Sequence, residues 1–349
     1  MRVAPDRLKE ITIEILRGLK ASAEESVLVA ESLVQADMRG IDTHGVNFLK
    51  PLADRVDVQM IDLPTRLKVI KEDVATGLID GGNGLGQVAA QRAMTMSIQK
   101  AQGCGVGCCL VRNTNNIGFL AFYTLMAARK GMVGIIMTNG AASMSPWGGA
   151  QPFFGTNPLS IAVPGGAEDP AIVLDMSSSL VARGKIRRAH KMKENIPLGW
   201  AFDEAGNPTA DPAAALKGTL APMGGPKGYG LALMVDILAG MLSGSKYGTD
   251  VKTFHQPEGP TGVGVCCMAI DVERFMDQEK FRGLVQSYVG SIRGSKKAKG
   301  VFRIYLPGEI EAEKEKLSLK DGIEISPVTA KDLNDLLEKG KSPLRLNGR

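Results

Sequence analysis

At 349 residues, 44% apolar and 23% charged, the chain can bury a full core and suggests two units of roughly 150 residues each. The net charge of +5 is scattered and aromatics reach only 5%, with no interleaving of aromatic and basic residues, so nucleic acid is excluded as a partner. No apolar run approaches the ~18 residues of a membrane span and the start lacks a signal-peptide core, so a cytoplasmic protein without a membrane partner is expected.

Residues 6–20 place Leu8, Ile11, Ile15, Leu16 and Leu19 on one helical stripe. A second helix opens at Ser22, with Glu25 three residues on as a capping box, and runs towards Met38. It delivers the chain to Arg39-Gly40-Ile41-Asp42-Thr43-His44-Gly45-Val46. An imidazole exchanges a proton near neutrality, so His44 is a candidate acid or base, although a loop histidine that merely hydrogen-bonds is the bland alternative. Thr43 offers a hydroxyl to hold the ring, and Gly45 is expected to open space for a ligand. A short third helix, bent by Pro51, should follow, and Pro64 closes the unit at 1–65.

From about residue 66 the texture changes to short β-like runs punctuated by glycine. Strands are expected at 68–74, 76–80, 106–112, 132–138, 159–163, 171–175, 263–271 and 301–305. Helices are expected at 87–102, 118–130 and 273–292, and residues 197–223 should wander over the surface. Gly81-Gly82-Asn83-Gly84-Leu85-Gly86 misses the G-x-G-x-x-G spacing, so a Rossmann unit is not indicated. Gly224-Gly225-Pro226-Lys227-Gly228-Tyr229-Gly230 opens a helix, where free N–H groups and a lysine suit an anion; a flexible turn with a solvated lysine reads equally well. The cations at 293–299 suit a helix end. The five cysteines, Cys104, Cys108, Cys109, Cys266 and Cys267, lie in apolar strand-like runs without C-x-x-C and read as buried thiols. His44, His190 and His255 show no ligand spacing, so no metal is expected. The charged tail at 309–349 reads as helical and peripheral.

Seven segments carry a resemblance: 39–46, 113–118, 146–149, 155–164, 175–186, 224–234 and 306–308. In order, and across about residues 1–325, they resemble the non-Rossmann malate/L-lactate dehydrogenase family, which includes ureidoglycolate and sulfolactate dehydrogenases, diketogulonate reductase and piperideine-2-carboxylate reductase. The resemblance implies an α/β fold with a mixed, largely antiparallel sheet. It further implies a cofactor-binding domain at 66–308, and a tail that packs back on the helical N-terminal unit. It implies a homodimer that binds NAD, with NADP as the alternative, and moves a hydride between it and a small 2-oxo or 2-hydroxy acid, or an imine.

Carried over residue by residue, Thr43-His44 matches the family's serine–histidine pair, with His44 as proton donor. Asn116, Ile117 and Gly118 should lie near the nicotinamide; Asn116 stands where relatives have a histidine, and an amide cannot shuttle a proton at neutral pH. Thr156 matches a substrate contact. Asn139, Gly140, Asp175, Met176, Ser177, Lys227, Gly228, Gly308 and Glu309 are implied cofactor contacts. Phe48 replaces an arginine that grips a carboxylate, and if 44–48 form a helical turn it shares a face with His44. Arg183 and Lys185 are then the nearest substitutes for that cation. The two departures, Asn116 and Phe48, leave a rival reading: a non-catalytic, dinucleotide-binding homologue of the same fold.

Overall fold

Seven strands pair into one sheet in the order Lys68–Glu72, Thr76–Asp80, Val106–Thr114, Val263–Asp271, Met132–Thr138, Leu159–Val163, Ile172–Met176. Only Thr76–Asp80 and Val106–Thr114 run parallel, and the helix Gly86–Cys104 makes the crossover that a parallel pair requires. Every other neighbouring pair in this sheet is antiparallel, which gives the mixed, largely antiparallel α/β architecture expected. The computed structural model describes residues 1–165, 172–254 and 259–346. Residue 171 of the expected sixth strand, His255 and the last three residues of the tail lie outside them.

Alternation along the strands sends Cys109, Val111, Ile136, Val265 and Cys267 into one face of the sheet. There they meet Ala89, Ala90, Ala93 and Met94 of Gly86–Cys104 and the helix Ala121–Ala128. Glycines let the layers close up: a Cβ on Gly107 would lie 2.0 Å from the Ser97 carbonyl oxygen. Among the described residues no helix is long and apolar enough to cross a membrane.

A second core gathers the N-terminal helices Pro5–Gly18, Ala23–Met38 and Leu49–Asp57 with Pro327–Lys339 from the other end of the chain. Leu333 and Leu337 are 1% exposed, so this part of the tail is core rather than periphery. Arg2–Val3 pairs with Ile323–Glu324, tying the two ends together. The capping box forms as expected: Ser22 Oγ accepts from the Glu25 N–H, and the Ser22 N–H donates to Glu25 Oε2.

Four expectations are corrected. Pro51 does not bend a helix; it lies in the first turn of Leu49–Asp57, where its missing N–H costs nothing. Residues 301–305 are not a strand. The edge strand Ile172–Met176 is met there by the turn at Pro307, whose carbonyl accepts from the Val173 N–H, and Phe302 is 94% exposed. Residues 197–223 are not a bare surface loop. They form the ladder Ala201–Phe202 with Thr219–Leu220 and the helix Pro212–Lys217, and they bury Ala201, Ala215 and Leu220. Cys104 is exposed at a helix end rather than inside a strand.

Candidate active site

A cleft of about 1350 Å³ runs between the helical unit and the sheet. One wall carries His44, Thr43 and Phe48; the others include Asn116, Ile117, Gly118, Asn139, Thr156, Asp175, Met176, Ser177, Arg183 and Gly308. Residues more than 260 positions apart therefore share one surface. Gly140, Lys185, Lys227, Gly228 and Glu309 stand outside the lining. Lys227 is exposed at the start of Pro226–Val235, and its neighbour Gly228 abuts the Ser178 carbonyl, next to the lining residue Ser177. Glu309 turns instead to Arg293 and Arg303 and accepts from the Leu306 N–H.

His44 ends the short 3-10 turn Asp42–His44, and a second such turn, Val46–Phe48, follows at once. Its Nδ1 lies 3.0 Å from Thr43 Oγ1, which leaves Nε2 as the nitrogen for a ligand. Burial against the cleft wall holds the imidazole pKa below its usual range, and the Asp42 charge opposes that shift. Gly45, between the two turns, does not open space for a ligand. The carboxyl of Asp37 fills that space: a Cβ on Gly45 would lie 1.8 Å from Asp37 Oδ1, and Asp37 Oδ2 accepts from the Val46 N–H at 2.8 Å. Enclosure pushes the Asp37 carboxyl up to about 7 against that hydrogen bond, with the Asp42 charge adding to the rise.

The extended Gly45 also prevents residues 44–48 from forming one helical turn. Phe48 still borders the cleft, but its ring is 9% exposed and stacks on Phe254 at 4.5 Å, with the Arg55 guanidinium over the other ring at 5.2 Å. Cations reach the cleft from elsewhere. The helix Arg183–Met192 lines it with Arg183, Arg187, Arg188 and Lys191, and its first turn touches the histidine loop. A Cβ on Gly184 would lie 3.1 Å from the Thr43 methyl.

The glycine string at 81–86 proves to be a bed for the asparagine loop. A Cβ on Gly86 would lie 2.3 Å from the carbonyl oxygens of Asn115 and Asn116. Asn115 Nδ2 donates to the carbonyls of Asn83 and Gly84, while its Oδ1 accepts from Thr261. Asn116 Oδ1 accepts from the Gly118 N–H at 2.8 Å, a local turn that brings Gly118 to φ +75° beside the cleft. Asp175 closes the far side: Oδ2 accepts from the Ala121 N–H at the start of Ala121–Ala128. Enclosure among its neighbours pushes its carboxyl up to about 6 despite this bond and the nearby Arg39, although the residue is itself exposed on the cleft. Arg39 itself is 4% exposed and ion-paired to Glu315 at 2.6 Å.

Asp37, Arg187, Arg188, Lys191 and Phe254 were not singled out from the sequence. Gly45 carried a signal for Asp37, since a glycine at a tight approach implies a group pressed against it. The others are surface-like residues that only the fold brings round.

The family model for malate/L-lactate dehydrogenase matches residues 3–334. The L-sulfolactate dehydrogenase of Methanocaldococcus jannaschii is 38% identical over 99% of this chain and 98% of its own. The solved structure of the sulfolactate dehydrogenase from that organism superposes with a TM-score of 0.93, covering 99% of this chain and 98% of that one. The malate dehydrogenase of Pyrococcus horikoshii is 37% identical over 97% of this chain and 95% of its own. The NAD(+)-named ureidoglycolate dehydrogenase of Escherichia coli K12 is 31% identical over 93% of each. The chain belongs to the malate/L-lactate dehydrogenase family and is an oxidoreductase of the 2-hydroxy acid dehydrogenase type.

Proposed function

We propose that this cleft holds NAD, with NADP as the alternative, and a small 2-oxo or 2-hydroxy acid, and that His44 exchanges the proton that accompanies hydride transfer. The observation that carries the proposal is the Thr43–His44 pair lining the same cleft as Asn116, Ile117 and Gly118. The fit to a dinucleotide rests on size and lining. The cleft exceeds the roughly 300–1,000 Å³ of a pocket for one small ligand. Backbone at Gly118 and Gly308, both at positive φ, lies along it. Asp175, Met176 and Ser177 supply a polar strand end.

A bound nicotinamide supplies or accepts the hydride. In the reduction direction the imidazolium Nδ1–H donates to Thr43 Oγ1 and Nε2–H gives its proton to the substrate oxygen. The neutral ring that remains keeps Nδ1–H on Thr43 and takes a proton back at Nε2 in the oxidation direction. Asn116 cannot replace it, because an amide does not titrate and its Oδ1 is committed to Gly118. An imine carbon suits the same geometry, with nitrogen in place of oxygen. Arg183, at the end of the helix that meets Thr43, is the cation assigned to the substrate carboxylate, in place of the arginine that Phe48 replaces. Lys185, Gly140, Glu309, Lys227 and Gly228 are given no direct contact here.

The chain is read as a homodimer. Met234, Leu238, Met241 and Leu242 recur at helical spacing and are 37–61% exposed, an apolar stripe that suits a second copy. Sedimentation at micromolar concentration checks this. The enzymatic reading is tested by following NADH and NADPH oxidation with oxaloacetate, pyruvate and a bulkier 2-oxo acid; no turnover with any of them counts against it.

A further inference from the structure

We propose that Asp37 is a positioning residue for this chemistry: its carboxylate clamps the backbone break directly behind His44 and so fixes where the imidazole stands in the cleft. The inference rests on His44 being the proton donor and acceptor described above.

Burial encloses the His44 ring but does not fix the backbone that carries it. Its ring is tied to Thr43, but Thr43 belongs to the same three-residue turn, so the pair moves as a unit unless the backbone behind it is fixed. That backbone changes direction at Gly45, which is extended (φ −88°, ψ −157°) and separates two turns that both lack a side-chain cap. Asp37, one residue before the end of Ala23–Met38, reaches this hinge from a long helix packed in the core. Its Oδ2 takes the Val46 N–H, the first of the second turn and one with no partner inside that turn. Its Oδ1 and Cγ press on Gly45, where a Cβ would stand 1.8 and 2.2 Å from them. The carboxyl is both bonded and wedged.

A merely structural cap would work whether charged or not, and the charge is what separates the two cases. Asp42 is the charged group that raises Asp37. Around the same corner, Arg39 is turned to Glu315, and Lys314 of Glu309–Asp321 lies over Gly40. With its carboxyl raised to about 7, Asp37 changes its protonation at working pH. The charged form is the stronger acceptor for Val46. Burial depresses the His44 imidazole below its ordinary range, while the Asp37 carboxyl is raised. Oxidation of a hydroxy acid needs the neutral imidazole and the ionised clamp together, so the acid limb carries the ionisation of Asp37 as well as that of His44.

The test uses the full chain and Asp37→Asn, which keeps shape and removes ionisation. The His44 ring proton resonance, identified by its absence in His44→Gln, is followed from pH 4.5 to 9 by NMR. The parent should show the ring's own inflection and a second one from Asp37, and Asp37→Asn should lose the second. In NAD-dependent oxidation of L-malate, Asp37→Asn should lower kcat about tenfold or more, move the acid limb to lower pH and leave cofactor affinity unchanged. A resonance with the same inflections in both proteins overturns the proposal, and so does a loss of turnover that merely follows a loss of melting temperature and cofactor binding. Should Asp37→Asn not fold, Gly45→Ala serves: it should lose turnover, while Asp37→Ala with Gly45→Ala should be no worse than Asp37→Ala alone. Additive losses overturn the contact. Near-normal turnover in His44→Gln removes the proposed role of His44 instead, and the NMR result distinguishes the two failures.

Discussion

Phe48 stacks on Phe254 with ring centroids 4.5 Å apart and planes inclined by 29°, beside the cleft that Arg183 also lines. The pair gives that corner an apolar surface, and the basic helix Arg183–Met192 gives another wall its charge. We predict that Arg183→Met raises KM for pyruvate and oxaloacetate at least tenfold with a smaller change in kcat, since a carboxylate grip acts mainly in the ground state. Equal KM values in parent and variant place the carboxylate elsewhere.

Phe48→Ala should cost about 3 kcal/mol of stability, because it removes a nearly buried ring from an aromatic stack. Phe48→Arg should not restore a dicarboxylate preference, since the added guanidinium enters a corner already holding Arg55 over Phe254. Urea melts and kcat/KM for oxaloacetate check both statements. A clear gain for oxaloacetate in Phe48→Arg shows that the corner does face the substrate carboxylate.

His44→Gln should cut turnover about a hundredfold or more while cofactor binding persists, because only the positioned proton is lost. Thr43→Ala should cost less, since it frees the ring at Nδ1 without removing the acid. Stopped-flow hydride transfer with bound NADH separates the two. A variant at position 44 with near-normal turnover rules the histidine out.

Much of this was legible in the chain, for reasons that differ by residue. The capping box at Ser22 and Glu25 and the strands at the sheet centre are local, so spacing alone marks them. Thr43-His44 was visible because few residue types exchange protons near neutrality. Gly45 was read in the wrong sense, since a glycine tells that something approaches closely but not whether it is a ligand or Asp37. Lys227 reads as a phosphate residue from its helix start, and it stands exposed in the first turn of Pro226–Val235. Lys227→Ala, titrated with NADH and NADPH by calorimetry, decides its role: a tenfold loss of affinity keeps Lys227 on the cofactor phosphates, and unchanged affinities take it out of the site. Residues 301–305 are mostly β-branched and aromatic, like a strand, but composition cannot show that the edge strand Ile172–Met176 meets Pro307 instead.

Asp175 gives the last prediction. Its carboxyl accepts from the Ala121 N–H and is still pushed up to about 6 by desolvation in the cleft wall, so the folded protein prefers the neutral acid more than an unfolded chain does. The folded state then binds the extra proton between the ordinary aspartate range and about 6, and stability falls as pH rises through that window. Asp175→Asn keeps an acceptor for Ala121 and removes the charge. It should melt with the parent at low pH and above it once pH exceeds about 6. Cofactor affinity should move the other way. If the ionised carboxylate accepts from a cofactor hydroxyl, NADH binding to the parent strengthens as pH rises through about 6, and Asp175→Asn binds weakly at every pH. Melting curves and calorimetric titrations at pH 5 and 7.5 read both effects. A parent affinity that is flat across that interval, with Asp175→Asn binding equally well, leaves Asp175 as a helix cap for Ala121–Ala128 and takes it out of the cofactor site.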